Sequence, residues 1–192
     1  LDTLSGKVVT KFTYGVALML APFYSVGGVI DKVFSLQRDP FSYYYLFFVN
    51  VGAAFWLVLG LYYLRKWLNK YVDTVSSFWT MLIIFFGTNL YYYTLDESLM
   101  SHLYSFALFA ILLYGLKAFF ENKHYRYFLL FIIPLSFAIL IRPTNFLFGL
   151  IAFFIDVRSF RDIWSRVKLL LAPSYMFSSV LIFFIIIAPQ LA

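Results

Sequence analysis

Residues 127–155 read YFLLFIIPLSFAILIRPTNFLFGLIAFFI, an apolar stretch whose one charged interruption, Arg142-Pro143-Thr144-Asn145, sits at its centre. Each arm is about 13–15 residues, or about 20–23 Å as an α-helix. That is short for a hydrocarbon layer about 30 Å thick. One reading is a helical hairpin, two short helices meeting at a turn. Irregular backbone at such a depth survives only if protein buries it or it lines a water-filled cavity. The other reading is one long helix kinked at Pro143, which inverts the topology of everything after it.

The flanking segments decide between the two. Residues 42–64 form an apolar span followed by Arg65, Lys66 and Lys70. Residues 75–93 form the next, ending in Tyr91-Tyr92-Tyr93, and a turn at 94–98 carries Asp96 and Glu97. Residues 99–118 cross back toward Lys117, Lys123, His124 and Arg126, and a last span covers about 169–188. The hairpin places 65–74, 117–126 and 156–168 on one side, with ten of the fifteen Lys and Arg. Cytoplasmic loops carry such an excess. The kinked helix moves the basic 156–168 loop outside, so the hairpin is preferred. Asp96, Glu97 and Arg142 then share the extracytoplasmic face.

Composition agrees. Of 192 residues, 63% are hydrophobic, 23% aromatic and 12% charged, where soluble domains carry about a quarter charged. The expected fold is an all-α polytopic transmembrane bundle of six or seven membrane segments, with the 127–155 hairpin among them. It forms one transmembrane domain over residues 1–192. Residues 13–30, broken by Pro22 and Gly27-Gly28, form either a kinked span or a segment lying partly in the membrane. The net charge of +6 reads as topology and membrane-lipid contact. The basic residues form no dense patch for nucleic acid. The chain has no cysteine, so disulfides and thiolate metal sites are excluded. The first residues look like neither a signal peptide nor an anchor, and the sequence reads as a piece of a longer protein.

Few residues bring chemistry to such a chain. Thr94 and Glu97 fit a capping box at the start of the 99–118 helix, where acidic residues also favour the helix dipole. The competing reading is functional: Glu97, Ser101 and His102 line the mouth of a cavity together. His102 as a metal ligand lacks partners; as an interfacial hydrogen-bonder it needs none. Arg142 either snorkels to the interface or holds a specific anionic partner, which its planar fork suits. Thr144 and Asn145 are placed to cap the following helix and present its amides to an anion. Asn50 is placed to bond a neighbouring helix. Asp39-Pro40 reads as a turn, and Lys7 and Lys11 as solvated or headgroup-contacting lysines.

The combination Lys11-Phe12-Thr13-Tyr14-Gly15 with Ala21-Pro22-Phe23, then Gly87-Thr88-Asn89-Leu90-Tyr91-Tyr92-Tyr93 and Glu97-Ser98-Leu99-Met100-Ser101-His102, then Ile141-Arg142-Pro143-Thr144-Asn145, resembles bacterial polytopic glycosyltransferases of the GT-C superfamily. These are similar in plan to protein O-mannosyltransferases and lipid A aminoarabinose transferases. The resemblance covers roughly residues 7–150. It implies a multi-pass enzyme of the bacterial inner membrane that moves a sugar from a polyprenyl-phosphate donor to a lipid, glycan or protein acceptor. It implies a catalytic base in an earlier extracytoplasmic loop, upstream of Leu1. Glu97 and Asp96 match the second acidic position, which positions acceptor, donor or a metal, so a divalent metal stays open as cofactor. Arg142 matches a donor-phosphate position, and His102, Asn145 and Lys11 lie near the site. Two other classes compete: a transporter, which usually shows paired repeats not found here, and a non-catalytic lipid-carrier subunit in which Arg142 and Glu97 form a structural pair.

Overall fold

The computed structural model describes residues 13–34 and 43–191. Lys7, Lys11 and the Asp39-Pro40 turn lie outside the described residues. Among those described the chain is helical: α1 (Gly15–Phe34), α2 (Tyr43–Leu68), α3 (Thr74–Gly87), α4 (Leu90–Leu95), α5 (Ser101–Asn122) and α6 (Tyr125–Ile141), then a 3₁₀ helix (Pro143–Leu150), α7 (Ile151–Phe154), α8 (Phe160–Leu170) and α9 (Pro173–Leu191). Four of these, α1, α2, α5 and α9, are long and apolar enough to cross a membrane. Three shorter apolar helices accompany them. The protein is a multi-pass helical membrane bundle.

The hairpin is present. At its apex Arg142 lies beside His102 at the start of α5. At its far end Asp156 meets Lys117 near the end of α5. The return arm reaches that far in few residues because most of it is 3₁₀. Eight residues rising about 2.0 Å each and four rising about 1.5 Å cover roughly 22 Å, close to the roughly 25 Å of α6. Pro143 fits the first position of the new helix, where no N–H is required.

α5 is the central element. Its most apolar stretch is 67% buried, whereas that of α9 is 0% buried. So α5 packs on protein, while α9 turns its large apolar side chains outward. α6 lies antiparallel to α5 at very close range: a Cβ on Gly115 meets the Leu130 carbonyl carbon and oxygen at 2.5 Å. Only glycine permits that approach, and close backbone approach is how helices gain packing energy in lipid. One core cluster joins Met19, Leu57, Leu103 and Ile141. A second joins Leu112, Phe119, Phe128 and Ala152 nearer the basic loops.

α2 runs parallel to α5. Gly60 meets Ala107, and Lys70 bonds Glu121. α1 runs antiparallel to the first half of α2: Trp56 donates to the Met19 carbonyl, and Gly27 meets Tyr44 and Tyr45. The start of α1 abuts Ile141 at the hairpin apex. Only the first part of α1, Gly15 to Leu20, packs beside α5 and α6. With α2, α1 extends past the apex by roughly 16 Å, counting residues 45–56 at 1.5 Å each. Pro22 does not interrupt it.

Three local expectations are corrected. The stretch 75–93 is two helices rather than one span. Asp73 caps α3 by accepting from the amides of Val75 and Ser76. The break comes at Thr88, whose hydroxyl donates to Ile84 O (2.7 Å) and accepts from Leu90 N (3.2 Å), closing one helix and opening the next. The Thr94–Glu97 capping box is not formed. Thr94 lies buried inside α4 and donates back to Leu90 O at 2.7 Å. α5 starts after Met100 with no side-chain cap, so Glu97 and Ser101 do not share a helix. Finally, the basic stretch 156–168, expected as a loop, contains most of α8. A capping box of Ser159 and Asp162 starts it.

Candidate functional site

Two short segments meet at the apex end. The turn after α6 presents Arg142, and the first turn of α5 presents His102; Arg142 Nη1 and His102 Nδ1 are 3.4 Å apart. Both side chains are exposed to a cavity of about 560 Å³, whose wall also includes Thr13, Val16, Ser101 and Thr144. The start of α1 thus roofs the space that the hairpin apex floors. Among the described residues, no carboxylate forms an ion pair with Arg142. The His102 ring stacks on Tyr93 of α4 with centroids 4.8 Å apart and an interplanar angle of 21°, which fixes the plane of the imidazole.

The apex is held by hydrogen bonds from neighbouring residues. Asn145 Nδ2 donates to Ser105 Oγ (3.1 Å) on α5 and to Ala138 O (3.0 Å) in α6. Its expected role, capping the next helix, is replaced: it ties the 3₁₀ helix to α5 and to α6, where the Ala138 carbonyl also accepts from the Arg142 amide. Thr144 makes no cap either. Thr13 Oγ1 donates to Ile141 O at 3.1 Å. Tyr14 donates through its amide to Gln190 Oε1 (3.1 Å) and through its hydroxyl to Ile186 O. The ends of α1, α6 and α9 are thereby joined around Arg142.

Asp96 and Glu97 are at the same end but in a different space. They line a smaller cavity of about 270 Å³ with Leu46 and Asn50 of α2. Asn50 is exposed there. Glu97 is half-buried, and Tyr92 OH reaches its Oε1 at 3.5 Å. Leu99 lines both cavities. One pocket holding the carboxylate pair and the arginine together is therefore not the arrangement; two adjoining cavities are. Lys11 lies outside the described residues. No group of three His, Asp or Glu side chains able to hold a metal ion occurs among the described residues.

The sequence reading missed a polar cluster at the opposite, basic end. Asp156 Oδ2 accepts from Lys117 Nζ and from Tyr71 OH, both at 2.6 Å. Lys117 and Lys70 both approach Glu121. Burial pushes the Asp156 carboxyl up, but the Lys117 ammonium and Tyr71 hydroxyl outweigh it and hold its pKa below the ordinary carboxylate value. Burial, with the bond to Asp156, pushes the Tyr71 phenol up to about 12. Arg166 Nη1 donates to the carbonyls of Ala152 (2.9 Å) and Ile155 (2.6 Å), capping the return arm, and its guanidinium lies 4.2 Å from the Phe120 ring centroid. Burial lowers its pKa. This clamp depends on Asp156 adopting a left-handed backbone, φ 54°, which no local pattern announces.

Compared with protein-family models, with curated proteins and with solved structures, the chain finds no significant match in any of the three.

Proposed function

We propose that the protein is a membrane glycosyltransferase of the bacterial inner membrane that takes a polyprenyl-phosphate sugar as donor. The carrying observation is Arg142, a guanidinium free of carboxylate partners among the described residues, beside His102 and open to a cavity of about 560 Å³. A planar fork facing a cavity suits a phosphate ester. The apolar faces of α1 and α9 around the same end supply surface for an isoprenoid tail.

The chemistry divides between the two cavities. The acceptor hydroxyl oxygen bonds to the anomeric carbon. The bond from that carbon to the phosphate oxygen breaks, and the electron pair leaves with the phosphate. Arg142 stabilises the growing charge, which a fixed cation does best away from bulk water. The hydroxyl proton passes to a catalytic base, and Glu97, with Asp96 beside it, orients the acceptor from the adjoining cavity. Acceptors of the lipid, glycan or protein class all fit this scheme.

The separation of Glu97 from Arg142 favours a second reading. A lipid-carrier subunit needs the phosphate cradle without a base in the same cavity. One experiment divides the two. The full-length protein in membranes is given a panel of radiolabelled polyprenyl-phosphate sugars, and both binding and sugar release are followed for wild type, Arg142→Ala and Glu97→Gln. Release abolished by both variants, with binding weakened by Arg142→Ala, supports the enzyme. Binding that needs Arg142, with no release by wild type, supports the carrier. Binding unaffected by Arg142→Ala overturns both.

A further inference from the structure

The helix between the hairpin and α9 has a second surface that the apex site does not use. α8 is strongly amphipathic. Phe160, Ile163, Trp164 and Val167 fall on one helical face, and Phe160 and Trp164 are 89% and 60% exposed. No residue of α8 is buried. The other face carries Arg161, Asp162, Ser165, Arg166 and Lys168. The chain leaves the apolar return arm at Ile155 and enters the apolar α9 at Pro173. Both ends of α8 are thus fixed at one boundary of the bundle, the end that gathers the basic loops.

Beside α8 is a cavity of about 570 Å³, bounded by Phe120, Lys123, Asp156, Asp162, Arg166 and Lys168 among others. Three of its charged groups are already engaged. Asp156 is held by Lys117 and Tyr71. Asp162 accepts from the amides of Arg158 and Ser159. Arg166 is spent on two backbone carbonyls. Lys123 and Lys168 remain, both exposed and neither ion-paired with a carboxylate among the described residues. Lys168 Nζ lies 5.6 Å from the Trp164 ring centroid, which couples the cationic rim to the apolar face.

We infer that α8 lies in the headgroup layer of the membrane and that Lys123 and Lys168 hold the phosphate of an anionic phospholipid in this cavity. Phe160 and Trp164 enter the acyl boundary, as amphipathic interfacial helices do. The unengaged lysines supply the charge that selects an anionic headgroup over a zwitterionic one.

The test uses the full chain in nanodiscs of phosphatidylglycerol and phosphatidylcholine. Brominated acyl chains should quench the part of the tryptophan emission that Trp164→Phe removes. Native mass spectrometry should show phosphatidylglycerol retained in preference to phosphatidylcholine. Lys123→Gln with Lys168→Gln should cut that preference roughly thirtyfold, the size expected for two lysines at an anionic surface. Arg161→Gln, outside the cavity wall, should change it much less. If the Trp164 emission is not quenched, α8 is covered by something other than lipid and the inference fails. Equal retention of the two lipids by wild type, or a preference that survives the double variant, also overturns it. Inorganic phosphate that displaces the bound lipid at millimolar concentration makes the cavity a free-phosphate site instead and overturns the lipid assignment.

Discussion

Arg142 and His102 face each other at 3.4 Å across 40 residues of sequence. With its proton on Nε2, the imidazole accepts from the guanidinium through Nδ1 and keeps Nε2–H as a second donor. On the proposed function this pair is the phosphate cradle, and Tyr93 stacking on the imidazole sets the plane of its ring. Arg142→Ala should weaken binding of a polyprenyl phosphate by roughly 10–100-fold, the loss of a charge-assisted bond. Arg142→Lys keeps the charge but loses the fork, so it should recover only part of that loss. His102→Ala should have a smaller effect. Equilibrium binding in detergent checks the order; equal affinities for wild type and Arg142→Ala would remove Arg142 from the site.

Glu97 lies in the neighbouring cavity, so its contribution should separate kinetically from that of Arg142. Glu97→Gln keeps the shape and the Tyr92 contact but loses the charge that orients the acceptor. Donor affinity should stay within about twofold, while turnover should fall by roughly 10–100-fold, the loss of one charge-assisted hydrogen bond to the acceptor. A KM that rises in step with the loss of kcat would mean that Glu97 binds donor instead. Asp96→Asn, at the more exposed carboxylate, should cost less.

Asn145 donates to Ser105 and Ala138 at once. Asn145→Ala should lower bundle stability by about 1 kcal/mol, within the range measured for interhelical hydrogen bonds in membranes. Asn145→Asp should be worse, since it sets a carboxylate against the Ala138 carbonyl. Thermal unfolding in detergent reads both. If Asn145→Asp is as stable as wild type, the amide is not the bond that joins the hairpin.

The hairpin itself was legible because two independent quantities agreed: arms too short to span as α-helix, and basic loops that reach one side only if the chain turns back. The helix breaks were less legible. Thr88 stops α3 through its own hydroxyl, a competition between side chain and backbone that apolar periodicity does not register. The same chemistry defeated the Thr94 cap, because Thr94 satisfies Leu90 from inside a helix instead of opening the next one. Arg142 and His102 stood out as polar groups in apolar surroundings, but their pairing needed the antiparallel register of α5 and α6. Asp156 was hidden in a loop that looked merely basic. Its role appears only once the return arm has brought it beside Lys117 and Tyr71.

That register rests on Gly115. A methyl group there meets the backbone of Leu130 at 2.5 Å, and backbone cannot rotate away as a side-chain tip can. Gly115→Ala should destabilise by about 1–3 kcal/mol, the usual cost of overpacking, and it should loosen the Arg142–His102 pair at the far end of the same helices. Gly87→Ala is the control. Its nearest neighbour is Ile83 Cγ2 at 3.7 Å, so it should stay within about 0.5 kcal/mol of wild type. If the two glycine variants melt together, the close packing of α5 on α6 is not what fixes the hairpin.

The clamp at the basic end should give the bundle two pH limbs. Asp156 has a pKa below its ordinary 3.8 in the folded chain. Its contribution is therefore present above about pH 4 and is lost as pH falls through the lower folded value. Tyr71 has a pKa raised from 10.0 to about 12. Its contribution is full below pH 10 and is lost as pH climbs toward 12. Because both side chains are partly solvated, each limb should be worth only about 0.5–1 kcal/mol. Asp156→Asn should lower stability at neutral pH and flatten the acid limb. Tyr71→Phe should remove the alkaline limb and leave the acid one largely in place through Lys117. Melting temperatures measured in detergent from pH 3 to 11 separate the two. An Asp156→Asn curve that runs parallel to wild type below pH 4 would show that some other carboxylate carries the acid dependence.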